Sequence, residues 1–153
     1  MKFRLLIYSI LLSCGVARAQ VWEGYGVSAR FTVAVPDSVT RSAAALAVYM
    51  QHRYDAPQTQ LQALYGWVTA NIRYDSDSSY YFNRSVDHET KIAATLRRRK
   101  GVCENYAGLF ADLVSRIGLT AHVIYGYPTG IGTGRNTGHA WCAVNMDDDW
   151  WLF

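Results

Sequence analysis

Cysteine is scarce in this chain of 153 residues: Cys14, Cys103 and Cys142 are all there is. A single Cys103–Cys142 bridge is the most that the cysteines beyond the first nineteen residues allow, which is not a disulfide framework. No second Cys or His pair stands at ligand spacing, so a zinc site is not expected, and no segment has the calcium-loop pattern. No metal or other cofactor is therefore expected. The chain also lacks repeats and low-complexity tracts. Beyond residue 19 it has no apolar run long enough to cross a bilayer.

A net charge is missing too, once the first nineteen residues are set apart. The whole chain has 15 Lys and Arg against 12 Asp and Glu, and three of the basic residues, Lys2, Arg4 and Arg18, fall in that opening stretch. The rest is balanced, which removes the electrostatic argument for a nucleic-acid partner. The opening stretch reads as an export signal. Lys2 and Arg4 give a positive start, Leu5 to Leu12 a short apolar segment, and Ala17-Arg18-Ala19 a small-x-small cleavage pattern before Gln20. A second reading takes Leu11-Leu12-Ser13-Cys14-Gly15 as a lipobox with Cys14 as a lipid anchor, but Leu12 fits that motif poorly. The expectation is cleavage after Ala19 and a secreted, periplasmic or cell-envelope location.

What is present is enough for one domain with a core: half the residues are apolar and 14% are aromatic. Residues 20–56 read as an N-terminal strand and helix extension. Ala29 to Val35 alternates and ends at Pro36, as an edge strand or extended lead-in. A first helix is expected from a cap at Asp37 or Ser38 to about Arg53, with Leu46, Tyr49 and Met50 on one face. Residues 57–153 read as the main body. Asp55-Ala56-Pro57-Gln58 has the form of a helix start with a capping Asp. Leu61, Leu64, Tyr65, Val68 and Ile72 then follow at helical spacing, with the end near Arg73-Tyr74-Asp75. Residues 75–87 read as loop and Glu89 to Arg98 as a short helix. The run Arg97-Arg98-Arg99-Lys100 reads as its solvated, dipole-complementing end.

The stretch "GVCENYAGLFADLVSRIG" carries one apolar stripe, Tyr106, Ala107, Phe110, Leu113, Val114 and Ile117, with Gly118 as its stop. Projected backwards, the stripe places Cys103 in the first turn. Strands are expected at Leu119–Tyr127 and His139–Asn145. A Gly-rich loop, Pro128 to Gly138, lies between them. A solvated Asp147–Asp149 turn follows, and then a further strand from Trp150.

Cys103 and His139 are the candidate catalytic pair. A thiolate is a nucleophile, and the unpaired N–H groups at a helix start favour an anion there. A histidine at the head of a neighbouring strand suits the transfer of the thiol proton to a leaving amine. Taken alone, the two residues read more simply as packing residues than as a catalytic pair, since free cysteine is commonly buried and a lone histidine is commonly structural.

The motifs go further than the pair. "LYGWVTANIRYD" at 64–75, "RRRKGVCENYAGLFADLVSRIGLTAHVIYGY" at 97–127 and "GHAWCAV" at 138–144 resemble the transglutaminase-like superfamily of papain-like thiol enzymes. Their order and spacing also match, over roughly Leu61 to Phe153. The upstream helix is similar to extracellular bacterial members and to the kyphoscoliosis-peptidase-like branch. The resemblance implies an α+β, papain-like fold, with N-terminal helices and a nucleophile helix packed on a small antiparallel sheet. It implies Cys103 as nucleophile and His139 as general base and acid, acting on amide or peptide bonds through a thioester. The Cys103 N–H would serve as one oxyanion donor and a protein or peptide as substrate. Trp67 and Tyr74 fall where members carry aromatics, but read more simply as core or helix-end residues.

The pattern is broken in two places. Cys142 stands where the family usually has Asn after "HAW". Alternation puts it on the opposite face from His139, buried, unbridged and away from Cys103. The family's third catalytic residue is an Asp directly after a W-x-L-x strand, and here it would follow Phe153. The sequence thus reads as a member interrupted one position short of that residue. Two alternatives are a pseudoenzyme that binds protein or peptide without turnover, and a thiol hydrolase of a related cell-wall type.

Overall fold

The computed structural model describes residues 33–76, 85–128 and 138–153, and the backbone of 20–21. The export-signal reading at 1–19, the alternating run as far as Thr32, residues 77–84 and most of the Gly-rich loop lie outside the described residues.

Among the described residues the fold consists of four helices, a four-stranded sheet and a two-stranded one. Helix α1, Ala43–Arg53, is capped by Ser42, whose hydroxyl accepts from the Ala45 N–H at 3.4 Å. It buries Ala43, Leu46, Ala47 and Met50, which is one helical face. The start expected at Asp37 or Ser38 is corrected by about five residues. Residues 37–41 are turns, in which both the N–H and the hydroxyl of Thr40 bond to the Asp37 carbonyl. That turn satisfies the backbone groups a longer helix would have used.

Helix α2, Pro57–Asn71, has Pro at its first position and Ala56 at its cap, with no side-chain capping bond. The capping role expected of Asp55 is absent. Gln58 instead donates to Asp147 in the distant turn, at 3.2 Å. Leu61, Leu64, Trp67 and Val68 are buried. The helix stops at Asn71 rather than at 73–75, because Arg73–Tyr74 is a short strand, β2. It pairs in parallel with β3, Lys100–Gly101.

Helix α3, His88–Arg98, begins at Asp87, which accepts from the Thr90 N–H at 2.9 Å and from its hydroxyl at 2.7 Å. It ends at Arg99, whose φ of 54° turns the chain into β3. Three of the four basic residues there, Arg98, Arg99 and Lys100, are held by partners rather than solvated, while Arg97 stays exposed in the last turn of the helix. Arg98 and Lys100 both bond to the Asp75 carboxylate, which is 3% exposed. Arg99 reaches Thr40 and lies 4.9 Å over the Trp67 ring.

Helix α4, Cys103–Arg116, buries Ala107, Phe110, Leu113 and Val114 as expected, and Gly118 follows at φ 95°. It packs on a four-stranded sheet in the order β1-β6-β5-β4. β4 is Thr120–Gly126, β5 is His139–Met146 and β6 is Asp149–Leu152, joined antiparallel; β1, Gln20–Val21, pairs with β6 in parallel. Asp147 and Asp148, at φ 57° and 65°, form the two-residue hairpin turn. The core runs continuously from α1 through α2 and α4 to Ala140, Cys142 and Val144 of β5. The architecture is the α+β arrangement expected, with the helix that begins at Cys103 against a mainly antiparallel sheet.

Candidate active site

Three local features place Cys103. The β2–β3 pairing anchors the chain just upstream: Arg73 N–H donates to Arg99 C=O, and Asp75 N–H to Gly101 C=O, each at 2.9 Å. The Asp75 carboxylate between Arg98 and Lys100 clamps the same junction. Asn105 then turns back and accepts from the Val102 N–H at 3.0 Å, which fixes the helix entry. Gly101 is what makes room for it, since a Cβ there would stand 2.5 Å from Asn105 Cβ. Cys103 emerges as the first residue of α4, partly exposed. Among the described residues its own N–H and that of Glu104 have no acceptor. Two donors therefore stand open at a positive helix end.

His139 opens β5, opposite Gly126, half-buried, with its ring edge-on to Trp141 at 4.7 Å. His139 and Trp141 share one face of β5, while Ala140 and Cys142 point into the core. Cys103 and His139 line one apolar cavity of about 280 Å³. Its walls are largely aromatic. Tyr65, Phe110 and Phe153 pack with ring centroids 5.1–5.8 Å apart. Tyr74 stacks on Tyr106, whose hydroxyl donates to the Ile72 carbonyl. Burial pushes the Tyr106 phenol up, and the neighbouring Tyr74 adds to this.

The structure thus brings the two sequence-predicted residues to one cavity. It also separates Trp67 from Tyr74. Trp67 is 1% exposed and belongs to the core, whereas Tyr74 is 60% exposed and lines the cavity rather than ending a helix. Cys142 is buried and unbridged, and burial pushes its thiol up to about 12. It is not remote from Cys103, however, because it lines the inner wall of the same cavity.

Beside the cavity, Glu104 forms a 2.9 Å ion pair with Lys91 and accepts from the Tyr125 hydroxyl at 3.4 Å. Burial, and then the Glu104 charge, push the Tyr125 phenol up. These three residues and His139 line a separate groove. Sequence reading missed this cluster and the buried Asp75. The visible signal for Asp75 was an acid flanked in space by a basic run, which only the parallel β2–β3 pairing brings together. No group of three or more His, Cys, Asp or Glu placed to hold a metal exists among the described residues.

The family model for the transglutaminase-like superfamily matches residues 44–153. The chain belongs to that superfamily. Kyphoscoliosis peptidase of Mus musculus and that of Homo sapiens are each 31% identical over 99 residues. Those residues are 61% of this chain and 14% of either relative, so the chain matches about a seventh of their length. The crystal structure of a candidate cysteine protease from Cytophaga hutchinsonii superposes with a TM-score of 0.58 at 20% identity. The superposition covers 80% of this chain and 39% of that one, and it supports the papain-like fold.

Proposed function

We propose that this protein is an exported thiol enzyme that attacks amide or peptide bonds through Cys103. The observation that carries the reading is the meeting of Cys103, at the start of α4, and His139, at the head of β5, in one cavity. In the proposed reaction His139 takes the Cys103 thiol proton, and the sulfur attacks the carbonyl carbon. The developing oxyanion lies toward the open Cys103 N–H. The tetrahedral intermediate collapses as His139 gives the proton to the leaving amine, and a thioester remains. Water or a second amine, deprotonated by His139, then releases the acyl group and regenerates the thiol. The apolar walls suit a peptide or protein substrate presenting a non-polar side chain.

A second reading, a module that binds peptide without turnover, draws on one observation. Among the described residues that line the cavity, none is a carboxylate or carboxamide that would orient the imidazole. Phe153 pairs with Cys142 through two backbone bonds of 2.9 and 3.1 Å. In that register a following residue would oppose Trp141, on the face that carries His139, and an Asp there would serve as the orienter.

The test is amine release or amine incorporation with peptide and glutamine-amide substrates, in the protein and in a chain carrying Asp after Phe153. Activity abolished by Cys103→Ala is expected, and undiminished activity in that variant would overturn the enzyme reading. Peptide binding without turnover in both chains would establish the second reading. Export is tested by the mass of the mature form: an N-terminus at Gln20 marks cleavage after Ala19, and a lipid-modified Cys14 marks an anchored form.

A further inference from the structure

A second cavity lies on another side of the molecule, away from Cys103 and His139, between the turn at 37–41 and α3. It is the larger of the two, about 640 Å³, and three arginines, Arg41, Arg97 and Arg99, line it with Asp37 and Thr40. No ion pair joins any of these arginines to a carboxylate among the described residues. Three guanidiniums around one space with a single acid, Asp37, leave an excess of two positive charges.

The cavity floor is held rigidly. Thr40 is buried, donates to the Asp37 carbonyl at 3.0 Å, and accepts from Arg99 Nη2 at 2.5 Å. Trp67 lies beneath the Arg99 guanidinium at 4.9 Å. Arg99 Nη1 is buried and has no hydrogen-bond partner among the described residues. A buried donor on a charged group that bonds to nothing is costly, and such groups are normally satisfied. Arg99 is also held at φ 54°, a conformation that costs energy for a residue with a Cβ. The chain therefore keeps a strained arginine at a space lined by two more, and an anion in that space would offset their unpaired positive charge.

From these observations we propose that this cavity is an oxyanion-binding site, matched in charge to a dianion of the phosphate type. Planar guanidiniums bind such oxygens bidentately, and three of them around one space give both charge and geometry. The site is separate from the thiol chemistry and does not depend on it. Its occupant would tie the 37–41 turn to the end of α3, and so to the β2–β3 junction that places Cys103.

The test uses thermal unfolding of the intact protein with increasing inorganic phosphate, against chloride at matched ionic strength. Phosphate also stabilises proteins generally by exclusion from their surface, an effect that grows steadily at high concentration and does not saturate. A site predicts a rise in midpoint that saturates in the low millimolar range or below. Arg41→Gln, at an exposed position, should weaken the apparent phosphate affinity at least fivefold, and Arg41→Gln with Arg97→Gln should remove the saturable part. O-phosphoserine separates two sources of the same chemistry. Tighter binding than phosphate marks a phosphoryl group carried on a larger molecule, and equal or weaker binding marks the free ion. A non-saturating response, or the same saturable response in the Arg41→Gln variant, would overturn the proposal.

Discussion

Gly101 and Asn105 stand so close that a Cβ on the glycine would lie 2.5 Å from the asparagine Cβ and 2.9 Å from its Cγ. The glycine two residues before the cysteine is thus required by the side chain two residues after it. Asn105 cannot yield without losing its bond to the Val102 N–H, and that bond sets the entry of α4. Gly101→Ala is therefore expected to destabilise the fold by about 1–3 kcal/mol, the usual cost of overpacking. It should also slow Cys103 alkylation or catalysis more than Ala substitution at a distant surface glycine does. Gly101→Ala combined with Asn105→Ala relieves the clash and should recover part of the stability, measured by denaturant midpoints of the single and double variants.

Asp75 offers a second, independent hold on the same junction. Its carboxylate is nearly inaccessible, while its partners Arg98 and Lys100 are each about one-third exposed. Removing one member of a buried pair costs roughly 3–5 kcal/mol, and the partial exposure of both cations places Asp75→Asn toward the lower end. Unfolding of the variant in urea checks the stability. The β2–β3 pairing is checked by faster hydrogen exchange at the Arg73 and Asp75 amides, which bond to Arg99 and Gly101. Unchanged exchange at both would show that the carboxylate is not what holds the junction.

The two cysteines of the core region should separate cleanly by reactivity. Cys103 is partly exposed at the helix start, and Cys142 is 1% exposed. A short exposure of the native protein to iodoacetamide near neutral pH is expected to modify Cys103 alone, with Cys142 labelled only after unfolding. Peptide mass mapping reads the result. Equal labelling of both in the native state would contradict the buried placement of Cys142.

Much of this arrangement was legible in the sequence because it is written in local periodicity. The stripe from Tyr106 to Ile117, the strand from His139 and the stop at Gly118 each depend on residues within a few positions of one another. What stayed hidden depends on pairing across long separations. Arg73–Tyr74 looks like a frayed helix end until Lys100–Gly101 lies beside it, and Arg98 and Lys100 look solvated until Asp75 arrives from the other side. Asp37 looks like a helix cap until Arg99, 59 residues beyond Thr40, holds the turn that follows it. Capping and charge rules describe a segment in water, and tertiary partners overrode them at these three places. The relation of Cys142 to the cavity was half legible. Alternation gave its face correctly, but not that the inner wall of the site is built from that same face.

The imidazole of His139 meets Trp141 edge to face at 4.7 Å, two residues along the same side of β5. In the proposed enzyme this contact makes Trp141 a positioning residue, since misplacing a reacting group by about 1 Å can cost about a hundredfold. Trp141→Leu keeps an apolar wall but removes the ring, and a loss of roughly ten- to a hundredfold in kcat, with a smaller change in KM, is expected. Equal changes in both would point to substrate contact instead.

Burial of the Cys142 thiol sets a pH dependence with a definite sign. Its folded value, about 12, lies above the ordinary thiol value of 9.0 because the buried site disfavours the thiolate. The folded state therefore holds this proton more tightly than the unfolded state does. The resulting stabilisation is complete below pH 9 and is lost as pH rises from 9 toward 12. The difference corresponds to something on the order of 4 kcal/mol. Cys142→Ala removes the titrating group at the expense of a small cavity, so it should be less stable than wild type near neutral pH. Its stability should then fall less steeply between about pH 9 and 11. Urea unfolding of both proteins across that interval gives the comparison, and parallel slopes would mean that the thiol is not what loses stability in alkali.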